Sequence, residues 1–139
     1  MSQCKKCAAL NPERGTEPAW VLLSDSQSCI WESPTAIPEI ETHESVFLQY
    51  FCSEQHILVA VEEYLRLAGA TATWADVRPI EICAICGVDF DTTKPHQVLT
   101  VLHEEGDEFD PELIRASYAA RFCRECAPKL RTPPDTLAG

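Results

Sequence analysis

Apolar and polar positions alternate between two periods along the chain. Residues 19–23 (AWVLL) and 29–31 (CIW) read as short strands around a polar turn, SDSQS, and residues 46–51 (VFLQYF) read as a third. Between them SPTAIPEIETHE carries two prolines and three carboxylates and reads as loop. The pattern then changes to helical. Ile57, Leu58, Val61, Tyr64, Leu65 and Ala68 recur at separations of one, three and four, which places them on one side of a helix. Ser53 is suited to cap that helix and Gly69 to end it, with Glu62, Glu63 and Arg66 off the apolar stripe. Residues 70–82 mix β-branched residues with a proline and read as an extended connection.

The second part opens on CAICG, where a glycine after the second cysteine suits a tight turn. VDFDTTKPHQVLTVLH then reads as a β-hairpin turning at TTKP. Asp110, Pro111 and Glu112 are the residue types that start a helix, predicting one through LIRASYAA. The chain therefore divides into residues 1–69, a connection at 70–82, residues 83–131, and a proline-bearing tail at 132–139 expected to be flexible.

Parts of this size bury too little apolar surface to be comfortable unaided. Eight cysteines can supply the missing stabilisation. The first ten residues, MSQCKKCAAL, contain no apolar signal core, and no run of about 18 apolar residues spans a membrane, so a reducing, cytoplasmic setting with thiolates on metal is expected rather than disulfides. Cys83 and Cys86, each two residues removed from its neighbour in a C-x-x-C turn, combine with Cys123 and Cys126 into the ligand set of a closed structural zinc site. A rubredoxin-like iron site uses similar ligands. In the first part Cys4 and Cys7 need two more ligands. Cys52 and His56 fit best, because residues four apart share a face at the start of a helix. Cys29 is the rival for the fourth place, and His43 falls in the expected loop. Two structural zinc ions follow from this reading.

Both parts resemble treble-clef zinc fingers, in which a knuckle, a β-hairpin and the first turn of a helix provide four ligands. The resemblance implies a small zinc-stabilised α+β protein made of two tandem treble-clef-like halves. Two features depart from it: the expected helix before Cys123, and Pro128, which shortens any helix after Cys126. The second half is also similar to a degenerate HNH nuclease finger, through CAIC, VLTVLH, DPEL and FCREC. By that resemblance His103 stands where the general base sits. The asparagine expected near DPEL is absent, Glu112 standing in the motif, and Ala127 occupies the place of a last metal-binding residue, so the nuclease is the minority reading.

Charge bears on the choice of partner. With 22 acidic and 11 basic residues the net charge is −11, which opposes generic attraction to nucleic-acid phosphates. Carboxylates concentrate in EIETHE and in residues 104–112, where Glu104, Glu105, Asp107, Glu108, Asp110 and Glu112 form a strip suited to a basic protein surface. Against this, Arg115, Arg121, Arg124, Lys129 and Arg131 fall within 17 residues that contain one acid, Glu125. The expectation is a non-catalytic adaptor or regulatory protein that recognises a macromolecule, a protein first; nucleic-acid binding through residues 115–131 is the alternative.

Overall fold

The computed structural model describes residues 19–51, 53–105 and 112–126. Their elements are β1 (Ala19–Ile30), β2 (Glu39–Phe51), α1 (Glu54–Leu67), β3 (Ile80–Ile82), β4 (Asp89–Asp91), β5 (His96–Glu105) and β6 (Glu112–Phe122). Four strands form one antiparallel sheet in the order β2-β1-β5-β6, and β3 pairs with β4 in a separate two-stranded sheet. The result is a small, mixed α+β arrangement of mostly antiparallel sheet with one helix.

The central strand β1 sets the plan. It is bonded to β2 on one side, with Trp20 opposite Phe51, and to β5 on the other, with Trp20 opposite His103. Strands from residues 1–69 and 83–131 therefore share one sheet, and two tandem halves do not show in this arrangement. The core is likewise shared: Leu22, Leu48 and Phe51 fall in one cluster with Leu99, Val101, Ala119 and Phe122 and with the buried residues of α1. Each of these larger side chains contributes about 1.5–3 kcal/mol on leaving water.

The helix is formed as the pattern predicts. Ser53 is extended, at φ −147°, and its hydroxyl accepts from the His56 amide at 3.2 Å. At the other end Gly69 takes φ +80°, which lets the Ala70 amide reach the Leu65 carbonyl at 2.8 Å and the Gly69 amide reach Arg66 at 3.0 Å. Ile57, Ala60, Val61, Tyr64 and Leu65 are the buried residues, while Leu58 is turned outward.

Four local expectations are corrected. SDSQS is not a turn but the middle of β1, and its polar groups are buried because neighbouring strands satisfy them. The Gln97 amide donates to Ser24 at 2.7 Å, Ser45 donates to Asp25 at 2.6 Å, Ser28 bonds His43 at 2.7 Å, and Arg121 donates to Gln27 at 3.4 Å. EIETHE is not loop but the first half of β2, with Glu39, Glu41 and Glu44 exposed. The helix expected through LIRASYAA is β6: pairing with β5 satisfies its backbone across the sheet, outweighing the helix preference of its alanines. Finally, β4 and β5 do not pair with each other, because β4 turns back onto β3 and β5 enters the large sheet between β1 and β6.

Candidate metal centre

The knuckle lies between β3 and β4. Gly87 adopts φ +76°, its amide donates to the Cys83 carbonyl at 2.9 Å, and the Cys83 amide donates to Val88 at 2.8 Å, so the chain folds back within five residues. Cys83 and Cys86 are thereby presented on one side. At the end of β6 the strand gives way to a single helical turn, closed by the Cys126 amide on the Cys123 carbonyl at 3.1 Å, which brings Cys123 and Cys126 together. The Ala84 amide donates to the Arg121 carbonyl at 3.1 Å and fastens the knuckle beside that turn.

The four sulfurs lie within 4.8 Å of one another, and Sγ of Cys86 and Sγ of Cys123 are 3.6 Å apart. Four sulfurs about 2.3 Å from one tetrahedral ion stand about 3.8 Å from each other, whereas a disulfide needs about 2.05 Å. The four thiols are free, and their spacing suits one metal ion. Cys83, Cys123 and Cys126 are buried and Cys86 is exposed, so the centre is continuous with the hydrophobic core on one side and reaches the surface on the other.

The thiols are not equivalent. Burial acts to raise Cys83, but the backbone N–H groups of Cys86, Cys123 and Ile85 and the Cys86 thiol outweigh it and bring the Cys83 thiol down to about 6. Burial and the surrounding cysteines push Cys126 up to about 12, and Cys123 is also raised, chiefly by burial. One thiolate is thus prepared in advance, and Cys123 and Cys126 ionise as positive charge arrives.

The remaining candidates separate. Cys4, Cys7 and Cys52 lie outside the described residues. His56 sits in the first turn of α1 and is not part of the four-cysteine group. Cys29, the rival ligand, is 1% exposed on β1, and burial raises its thiol above the ordinary value, so it behaves as a small core residue. His103, the candidate base, stacks on the indole of Trp20 with ring centres 4.4 Å apart and planes within 4°.

Of the acidic strip, Glu104, Glu105 and Glu112 lie where β5 and β6 meet, with Glu105 opposite Glu112; Asp107, Glu108 and Asp110 fall outside the described residues. The basic set is dispersed. Arg115 is exposed and pairs with Glu54 at 3.5 Å, Arg124 is exposed, and Arg121 is buried; Lys129 and Arg131 lie outside the described residues. The burial of Arg121 and its contact with His96 were not read from the sequence. The one available signal was its position among Ala119, Ala120 and Phe122, an apolar run into which a charged residue is drawn only with partners.

Fold and site together define a small α+β protein with a four-cysteine candidate metal centre. Compared with known protein families, curated proteins and solved structures, the chain matches none. No described helix is long and apolar enough to cross a membrane.

Proposed function

We propose that this is a zinc-stabilised, non-catalytic adaptor that works in the cytoplasm and recognises a protein partner through its acidic surfaces. The observation that carries the reading is the closed set of four thiols, Cys83, Cys86, Cys123 and Cys126. Four protein ligands fill a tetrahedral ion and leave no position for water or substrate, so the metal contributes stability and the surfaces it supports do the recognising. The knuckle, the β5–β6 hairpin and the helical turn at the second cysteine pair follow the order of a treble clef. A second zinc on Cys4, Cys7, Cys52 and His56 completes the tandem reading.

Two further observations favour a protein partner. Glu39, Glu41 and Glu44 are exposed along β2, an edge strand of the sheet, where they present a negative row to a basic surface. Arg121 is 7% exposed and directed inward, which removes it from any surface that nucleic-acid phosphates would touch. The motif lacks the asparagine expected near DPEL and has Ala127 in place of a last metal-binding residue, which weighs against the nuclease reading.

Affinity capture with the metal-loaded chain and with a Glu39→Lys, Glu41→Lys, Glu44→Lys variant tests the proposal. The expected result is a protein retained by the first and lost with the second. Tight, steeply salt-dependent binding to DNA or RNA overturns it in favour of the alternative. Native mass spectrometry with and without chelator counts the zinc ions, two on the tandem reading and one if the cysteine tetrad is the sole site.

A further inference from the structure

After α1 the chain runs without regular structure along the outer edge of β6. The amides of Thr73 and Trp74 donate to the Ala119 carbonyl at 2.8 and 3.2 Å. Between this segment and the strand lies a cavity of about 400 Å³, whose lining includes Thr73, Arg78, Glu81, Tyr118 and Arg121. That volume is within the range of small-molecule sites.

Arg121 is the unusual member. It is 7% exposed, and its guanidinium carbon lies 5.1 Å from the centre of the Tyr118 ring. Its Nη1 donates to Nε2 of His96 at 2.8 Å and to Oε1 of Gln27 at 3.4 Å. Both acceptors are neutral, because Nδ1 of His96 donates to the Lys94 carbonyl at 2.9 Å and leaves Nε2 as the unprotonated nitrogen. Among the described residues, the ion pairs are Arg78 with Glu81 and Arg115 with Glu54, and the two hydrogen bonds described for the Arg121 guanidinium both leave from Nη1. Its hydrogen-bond acceptors are neutral and Glu81 is the carboxylate whose charge acts on it, and a cation so buried is costly to keep out of water. The edge formed by Nε and Nη2 has the forked geometry that receives two oxygens of one anion.

The cavity's charges point the same way. Arg78 is a second cation at the lining, and Glu81 is already held by the Arg78 amide at 2.8 Å and by its Nη2 at 3.4 Å. Two guanidinium groups against one carboxylate leave a local positive excess in a chain whose net charge is −11. We propose that this cavity binds a small molecule through a carboxylate or phosphate group, with Arg121 as the forked donor and Arg78 as the second cation. Cys83 also borders the cavity, so the charge of a loaded thiolate centre opposes the anion, and the test belongs on the metal-loaded chain.

The experiment is a nuclear magnetic resonance titration of the full, metal-loaded chain at constant ionic strength, with inorganic phosphate, acetate and chloride in separate arms. Saturable shifts of the Thr73, Tyr118 and Arg121 amides with phosphate or acetate are expected, and the responding anion identifies the oxyanion class. Arg121→Gln should weaken binding by at least about tenfold, the loss of hydrogen bonds to a charged group. Should that variant not fold, Glu81→Gln decides: removal of the competing carboxylate should tighten binding by about threefold or more. No saturable response to either oxyanion, an equal response to chloride, or unchanged affinity in the variants overturns the proposal. Such a failure leaves the adaptor reading standing, because that reading rests on the thiol centre and the exposed strand β2.

Discussion

Removal of the metal has a consequence that can be worked out from the fold. The tetrad joins the β3–β4 hairpin to the end of β6. Each strand of that hairpin is three residues long, and Ile80 and Ile82 are 54% and 56% exposed, so the hairpin has little core of its own. Its other described attachments include Ala84 to Arg121 at 3.1 Å, the Cys29 amide to Thr92 at 2.7 Å, the Trp31 indole to Thr92 at 3.0 Å, a ring contact between Phe90 and His96 at 5.3 Å, and the packing of Ile85 and Phe90 against the core. An ion that binds only the folded chain stabilises it by about 4 kcal/mol when its free concentration is a thousandfold above the dissociation constant. At about 2.1 cal/mol/K per residue, the 139 residues have an unfolding entropy of about 0.3 kcal/mol/K, so stripping the metal should lower the melting temperature by about 14 °C. Thermal unfolding followed by circular dichroism, with zinc in that excess and then with chelator, measures the shift. Hydrogen exchange should show residues 80–91 losing protection before β1 and β5. An unchanged melting temperature, or a hairpin as protected without metal as with it, refutes the reasoning.

Zinc affinity should depend steeply on pH. Cys123 and Cys126 are raised above the ordinary thiol range, so both carry protons at neutral pH and must release them to bind metal. Lowering the pH favours the protonated thiols, and the apparent association constant should fall by at least about a hundredfold per pH unit near neutrality; competition with a chromogenic chelator that gives a slope below two protons contradicts this. Ser53→Ala removes the hydroxyl that accepts from the His56 amide and should cost about 1 kcal/mol, read as a lower urea midpoint at unchanged slope. Leu99→Ala, at a fully buried position on β5, should cost about 2–5 kcal/mol in the same measurement, and a cost below about 1 kcal/mol contradicts the assignment of Leu99 to a well-packed core.

The parts legible in the sequence are those whose causes are local. Ser53, the apolar positions from Ile57 to Leu65, and Gly69 specify α1 within 17 residues, and the structure has the cap, the buried face and the left-handed glycine where the pattern puts them. The second-half knuckle is equally local, since two cysteines and Gly87 shape a single turn. The grouping of Cys83 and Cys86 with Cys123 and Cys126 was legible for a different reason. Metal chemistry asks for four such ligands, and two paired motifs supply them whatever lies between.

Strand β1 shows what was not legible. Its stretch SDSQS has the composition of a turn, yet Ser24 is bonded to Gln97, 73 positions away, and Gln27 to Arg121, 94 positions away. No window of sequence contains both partners, so the burial of those polar groups could not be read before the sheet was known. The same holds for β6: its alanines, and the Asp-Pro-Glu sequence read as a helix start, favour a helix until β5 offers a ladder of backbone bonds along its length.

Local chemistry thus settled one helix, one knuckle and the identity of four cysteines placed to hold a metal ion, because torsional preference, capping and ligand geometry act over a few residues. Tertiary structure alone decided that β1 and β5 lie side by side, that strands from both parts of the chain close one core, and that Arg121 faces inward to a cavity. Those outcomes depend on which distant groups can satisfy one another out of water, and that is a property of the assembled sheet.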